Sequence, residues 1–177
     1  MPDNNPGPVP ATGPIFTFLI KCVLGIDRLS FWAIVTCMAL MAVLVSAQVF
    51  FRYILSSSID SADELSRLFF VWAMFLAIPH GIKLHIHVGI DVIVRRLNEN
   101  LRTQISRLMN LASAILMGLV FVVTISVVGD KWQELMPTME ITAAVYYIAV
   151  LIATGHAFLH LMILAWGGPN TWEKVEQ

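Results

Sequence analysis

The chain has 177 residues, of which 58% are hydrophobic and only 13% are charged. A soluble domain of this length needs a more heavily charged surface, so the composition indicates a membrane protein. The formal net charge of −1, with no basic tract, implies no nucleic-acid partner. Cys22 and Cys37 are isolated in apolar segments and fit neither a disulfide framework nor a metal site.

The N-terminal part of the chain precedes the first long uncharged segment. Residues 1–14 are rich in proline and glycine, and we predict a flexible tail there. Residues 15–29 are apolar but are interrupted by Lys21, Asp27 and Arg28, which favours an interfacial helix lying flat before the first span. The segment has no obvious cleavage site and does not resemble a signal peptide.

Four apolar segments are long enough to cross the membrane as helices, which need about 20 residues each. Three of them contain uncharged runs of 22, 21 and 26 residues. The second segment is shorter and needs the charged side chains at its two ends to extend toward the interfaces. The predicted spans are residues 30–52, 63–83, 106–129 and 141–166. The sequence therefore predicts an all-α integral membrane fold with four transmembrane helices plus amphipathic surface helices.

Two further segments are predicted at the surface of the membrane. Residues 88–104 repeat apolar side chains at helical spacing and carry charged residues on the other face. We predict an amphipathic helix there, suited either to anionic lipid or to a partner protein. Residues 167–177 are predicted to form a C-terminal tail on the same side of the membrane as segment 88–104.

The distribution of lysine and arginine predicts the orientation. The N-terminus, the connection between spans 2 and 3, and the C-terminus together hold 8 of the 11 basic residues. The positive-inside rule then places both termini and the connection between spans 2 and 3 in the cytoplasm, with the chain as a multi-pass membrane protein.

Three histidines allow more than one interpretation. His80 lies near the cytoplasmic end of span 2, and His156 and His160 lie at similar depth in span 4 with a spacing of four residues. Histidines on two spans at one depth can hold haem iron, so a cytochrome b-type membrane anchor is the alternative function. The simpler interpretation is that they form hydrogen bonds between helices or touch lipid headgroups.

Local patterns predict two structural features. Ser61 and Glu64 have the spacing of a capping box at the start of span 2, and Arg67 lies within reach of Asp63 and Glu64 on the same helix face. Span 4 carries a stripe of small residues that allows another helix to approach closely. The stripe consists of Ala149, Ala153 and Ala157.

A series of short motifs carries a family resemblance. The motifs are Phe51-Arg52-Tyr53, Asp63-Glu64-Leu65-Ser66-Arg67, Val71-Trp72, Phe75-Leu76 and His87-Val88-Gly89-Ile90-Asp91. Their order and spacing resemble the small membrane subunit (the DctQ-like Q subunit) of tripartite ATP-independent periplasmic (TRAP) transporters. Asp63 replaces the first residue of a frequent glutamate pair, and Ala77 stands where the family often has glycine.

The resemblance implies a non-catalytic role beside two partners. A periplasmic binding protein (P-type) would capture an organic acid, and a large multispan permease (M-type) would carry it with sodium. The small subunit would scaffold the permease in the lipid and help dock the binding protein. It would hold no catalytic group, cofactor or metal of its own, with sodium bound in the partner. C4-dicarboxylates and sialic acid both remain open as substrates. The residues for which the resemblance implies partner contact or a structural role are Arg52, Tyr53, Asp63, Glu64, Arg67, Trp72, Phe75, His87, Gly89 and Asp91.

Overall fold

The structure is a computed structural model that describes residues 14–57, 60–83 and 99–167. These ranges contain four long helices: α1 (Pro14–Ile54), α2 (Asp60–Lys83), α3 (Glu99–Asp130) and α4 (Ala144–Gly167). Each helix includes a stretch that is long and apolar enough to cross a membrane. The all-α membrane fold with four spanning helices, predicted from the sequence, is confirmed.

Helix α1 is longer than the predicted first span. It has 41 residues, which corresponds to about 61 Å at 1.5 Å per residue, twice the roughly 30 Å of the hydrocarbon core. Pro14 is tolerated because it occupies the first turn, and no other proline interrupts the helix. The predicted interfacial segment 15–29 and the predicted span 30–52 therefore form one continuous helix.

The other helices differ from the predicted bounds only at their ends. Helix α2 starts three residues early, at Asp60, and continues through the buried Pro79. Helix α3 starts at Glu99 and so includes the end of the predicted amphipathic segment 88–104. The rest of that segment and the two predicted tails, except the residues that belong to α1 and α4, lie outside the described residues.

Helix α4 lies at the centre of the packing. It packs against α2 on one side and α3 on the other, while α1 packs chiefly against α2 and meets α4 at few positions. The predicted stripe of small residues on α4 is confirmed as a packing surface, because Ala149, Ala153 and Ala157 are all at most 1% exposed. Small side chains let the helix backbones approach closely, which increases the dispersion contacts between them.

Helices α3 and α4 pack through two phenylalanine–glycine contacts. A Cβ atom added to Gly155 of α4 would lie 3.1 Å from Cε2 of Phe121, and one added to Gly118 of α3 would lie 3.5 Å from Cε2 of Phe158. Each helix thus supplies one ring and one glycine. This reciprocal arrangement brings the two backbones together without an empty cavity.

A turn region joins α3 to α4 across residues 131–143. An isolated antiparallel bridge pairs Leu135 with Thr142, and Met136 N–H donates to the carbonyl of Ile141 at 2.8 Å. Lys131 forms an ion pair with Glu134 at the start of this region. The hydrogen bond that Lys131 donates to the Glu134 carboxylate and the negative charge of that carboxylate raise the pKa of Lys131. The loop therefore has internal structure of its own.

Candidate functional site

A group of polar side chains lies inside the bundle where α1, α2 and α4 meet. We call it the Asp27 cluster; its members are Asp27, Ser30, His80, Lys83, His156 and His160. Asp27 lies on the buried stripe of α1 between Val23 and Ser30, and it is only 6% exposed. The spacing of these three positions follows the helical period, so one face of α1 turns all of them inward.

The two histidines of α4 both contact Asp27. His156 and His160 are four residues apart and therefore lie on one face of the helix. Their Nε2 atoms lie 2.9 and 2.8 Å from Oδ1 of Asp27 and 3.2 Å from each other. His156 is 4% exposed and His160 is completely buried. Three polar atoms thus converge at one point in the interior.

Helix α2 supplies the remaining members of the cluster. The ammonium nitrogen of Lys83, the last residue of α2, lies 3.4 Å from Oδ2 of Asp27. One turn earlier, Nε2 of His80 lies 3.2 Å from Oγ of Ser30 on α1. The rings of His80 and His156 meet edge to face, with their centroids 6.3 Å apart. The cluster therefore ties all three helices together.

The pairing explains how a carboxylate is tolerated at this position. A buried charge is strongly unfavourable unless it is paired and hydrogen-bonded. Asp27 satisfies both conditions, with Lys83 as its counter-charge and two imidazoles as hydrogen-bond partners. The carboxylate therefore fixes the position of α1 relative to α2 and α4.

A cavity opens beside the cluster between α1 and α2. Its lining includes Asp27, Arg28, His80 and Lys83 together with the exposed ring of Trp32. Two cationic side chains, Arg28 and Lys83, therefore line it. The cavity gives Asp27 a route to the outside of the bundle although its side chain is only 8% exposed.

A second set of polar contacts lies at the opposite end of the bundle. The carboxylate of Glu64, in the first turns of α2, accepts a hydrogen bond from Thr138 N–H at 2.9 Å and another from the hydroxyl of Thr138. The hydroxyl of Tyr146 reaches the carbonyl of Glu64 at 3.4 Å. Glu64 therefore anchors the 131–143 loop to the start of α2.

This arrangement replaces the predicted capping box. Helix α2 already begins at Asp60, so Ser61 lies within the first turn and is not the N-cap. The hydroxyl of Ser61 makes a long contact of 3.5 Å with the carbonyl of Thr138. Both side chains of the proposed box thus turn to the 131–143 loop, because that loop brings its own donors and acceptors to this end of the helix.

Comparison with known proteins places these features in a family. Residues 41–168 match the family described as tripartite ATP-independent periplasmic transporters, DctQ component. The chain belongs to the DctQ family. It is also 35% identical over 63 residues to a protein of Haemophilus influenzae named as a TRAP transporter small permease, an alignment that covers 36% of this chain and 39% of that protein. The match thus spans less than half of that relative's length.

The motif residues that carry the resemblance to the DctQ family have different surroundings in the structure. Glu64 contacts the 131–143 loop, and Trp72 contacts α4. Phe75 is a half-buried residue of α2. Arg52 and Tyr53 are exposed near the end of α1, and Asp63 and Arg67 are exposed on α2. His87, Gly89 and Asp91 lie outside the described residues. The motif residues that the structure describes therefore differ in burial and in contacts.

Trp72 has a role within the DctQ chain itself. Its indole Nε1–H donates to the carbonyl of Val145 in the first turn of α4, at 3.1 Å. The ring is half-buried between the two helices. Trp72 thus contributes to packing between α2 and α4.

The Asp27 cluster gives hydrogen-bond partners to all three histidines. His156 and His160 form hydrogen bonds between α4 and α1, as the simpler interpretation predicted. Their Nε2 atoms converge on one carboxylate oxygen of Asp27. The haem-anchor alternative concerned histidines on two different spans, and it stays a prediction.

Sequence reasoning missed Asp27 as a member of this site. Asp27 was assigned to a surface segment ahead of the first span, because charges usually mark the end of a membrane helix. Its partners on α4 follow 129 and 133 positions later, and no local pattern connects residues so far apart. The available signal was a lone carboxylate at helical spacing from Val23 and Ser30, on a stripe that is otherwise apolar or small.

Proposed function

We propose that this DctQ chain is the small, non-catalytic subunit of a sodium-coupled TRAP transporter for organic acids. Its role is to scaffold the large permease in the membrane and to help dock the periplasmic binding protein. The observation that carries the proposal is the distribution of burial among the four helices. In each helix we consider the most apolar stretch of 18 residues. None of the residues of this stretch is buried in α1 and 11% are buried in α3, whereas 50% are buried in α4.

The unburied helices offer a large apolar surface for a membrane partner. The exposed side chains of α1 include Val43, Phe50 and Ile54, each more than half exposed. Those of α3 include Leu119 and Val122, at 59% and 62%. In the bilayer such faces are covered either by lipid or by another protein, and close helix packing favours a shaped partner over mobile lipid tails. A permease seated on α1 or α3 would extend this scaffold.

The polar groups of the described helices favour a structural role over a transport path. Asp27, His156, His160 and Lys83 are engaged with one another at a single point where α1, α2 and α4 meet. Coupled transport needs a path of polar groups that leads across the bilayer. We therefore expect the sodium and substrate sites in the large subunit, with a C4-dicarboxylate or sialic acid as the substrate class.

The charge distribution supports an orientation in the bacterial inner membrane with both termini in the cytoplasm. In this orientation the Glu64 contact and the 131–143 loop face the periplasm, where a binding protein would arrive. A Glu134→Cys variant should react with a membrane-impermeant maleimide in spheroplasts that retain an intact inner membrane. Labelling of that position only after the membrane is broken would show that the 131–143 loop faces the cytoplasm, contrary to the proposal. The native Cys22 and Cys37 are replaced by serine in this variant. The control is the same protein without the Glu134→Cys change.

Reconstitution in liposomes tests the proposed function. The chain is co-expressed with a large TRAP permease and a TRAP binding protein from the same organism, and the complex is purified through a tag on the small subunit. We expect the permease to co-purify, and radiolabelled organic acid to enter only when all three proteins and a sodium gradient are present. Uptake by this chain alone, or uptake by the permease and binding protein at an undiminished rate without it, would refute the proposal.

A further inference from the structure

Three buried atoms in the Asp27 cluster have the geometry of a metal-binding face. Oδ1 of Asp27 and the Nε2 atoms of His156 and His160 form a triangle with sides of 2.8, 2.9 and 3.2 Å. In a tetrahedral zinc site, with metal–ligand distances of about 2.0–2.2 Å, neighbouring ligand atoms are about 3.3 Å apart. The triangle therefore needs to expand by only a few tenths of an ångström to hold an ion.

The donor set and its arrangement also suit a first-row transition metal. Two histidines at a spacing of four residues on one helix present their nitrogens on the same face, and this spacing recurs in helical zinc sites. Two imidazoles and one carboxylate are typical ligands of catalytic zinc and of non-haem iron. All three ligand residues are at most 6% exposed, so the site is shielded from bulk water.

The hydrogen-bonded arrangement without a metal is crowded at the same atoms. If both imidazoles donate Nε2–H to Oδ1 of Asp27, two donor groups lie only 3.2 Å apart. When a single cation binds at this point, each neutral imidazole carries its hydrogen on Nδ1, and the three Nε2 and Oδ1 lone pairs turn toward one centre. The convergence that is unfavourable for two donors is thus the arrangement that a metal requires.

Lys83 and the neighbouring cavity complete the surroundings of the site. Lys83 lies beside Oδ2 of Asp27, at 3.4 Å, and not beside the oxygen that faces the histidines. A ligating carboxylate is commonly held through its second oxygen in this way. The cavity lined by Asp27, His80 and Lys83 offers access for an ion and space for a water as a further ligand.

We propose that Asp27, His156 and His160 bind a divalent first-row transition-metal ion, with Zn²⁺ as the best match to the two-nitrogen, one-oxygen donor set. This differs from the sequence-based expectation that the chain holds no metal. Asp27 lies ahead of the family-matched residues 41–168, so the proposal concerns this chain and does not rest on its transport function. The ion links α1 to α4, two helices that otherwise touch at few positions.

Metal binding is tested on the full-length protein in detergent micelles after removal of metal with a chelator. Zn²⁺ affinity is measured by competition with a chromophoric chelator, and Co²⁺ serves as the spectroscopic probe. We expect one Zn²⁺ per chain, visible Co²⁺ bands typical of a four-coordinate site, and a higher unfolding temperature with Zn²⁺. Each of Asp27→Asn, His156→Gln and His160→Gln should weaken Zn²⁺ binding by at least about 10-fold.

Matched controls separate this site from adventitious binding. A His85→Gln/His87→Gln variant removes the two histidines that are not members of the Asp27 cluster, and Glu64→Gln removes a carboxylate at the opposite end of the bundle; both variants should keep the wild-type affinity. Equal Zn²⁺ binding by wild type and His156→Gln, or an unfolding temperature that saturating Zn²⁺ does not raise, would overturn the proposal and leave only the hydrogen-bonded cluster. If the ligand variants fail to fold, X-ray absorption of the Zn²⁺-loaded wild type decides, since fewer than two imidazole ligands would contradict the assignment.

Discussion

Glu64 of α2 accepts a hydrogen bond from the backbone N–H of Thr138 at 2.9 Å, although 74 positions separate the two residues. This contact joins the first turns of one membrane helix to the loop between two others. It gives the acidic start of α2 a tertiary role at the end of the bundle opposite the Asp27 cluster.

Removing the Glu64 carboxylate should loosen the 131–143 loop. We expect Glu64→Ala to lower the free energy of unfolding by about 1 kcal/mol, because it deletes two hydrogen bonds at a partly exposed position. Hydrogen exchange of the Thr138 amide should accelerate correspondingly. Glu134→Gln is the control, since it removes a carboxylate of the same loop that pairs with the nearby Lys131. Equal exchange rates in the two variants would show that Glu64 does not hold the loop.

Trp72→Phe should separate the hydrogen bond of the indole from its packing. The variant keeps an aromatic ring between α2 and α4 but removes the donor to the carbonyl of Val145. We expect a loss of about 1 kcal/mol in stability, and a larger loss for Trp72→Ala because it also creates a cavity. Thermal unfolding of the isolated chain provides the measurement. An unchanged unfolding temperature together with loss of the large permease during purification would instead assign Trp72 to the partner interface.

Two glycines give a matched test of the packing between α3 and α4. Replacing glycine by alanine inside a helix stabilises it by up to about 1 kcal/mol when space is available. The new methyl group of Gly118→Ala meets Phe158 at an ordinary contact distance of 3.5 Å, so this variant should be neutral or more stable. That of Gly155→Ala lies 3.1 Å from Phe121 and forces the ring to shift, so this variant should be less stable than Gly118→Ala. The opposite order of unfolding temperatures would contradict the packing described here.

The sequence predicted the helices well because membrane helices are specified by local composition. Uncharged runs of sufficient length located three of them, and a shorter run extended by its charged ends located α2. The spacing of Ala149, Ala153 and Ala157 predicted a close contact that the structure confirms. It predicted the polar contacts poorly. Ser61 and Glu64 matched a local capping pattern, but the 131–143 loop provides a competing partner that the local sequence does not reveal. Asp27 was placed at a surface for the same reason, since its counter-charge and histidine partners come from other helices.

Removing one partner of the Asp27–Lys83 ion pair should lower the free energy of unfolding more than replacing both partners by apolar side chains. With chelator present, so that no metal contributes, Asp27→Leu leaves the Lys83 ammonium in a largely buried position beside a new apolar side chain. Breaking a buried pair in this way typically costs about 3–5 kcal/mol. The double variant Asp27→Leu/Lys83→Met removes both charges and should recover part of that loss, because an apolar pair avoids the cost of burying ions. The free energies of unfolding of the wild type, the two single variants and the double variant form a complete cycle. An additive double variant would show that the two charges do not interact, and that the hydrogen bonds to His156 and His160 alone keep Asp27 in place.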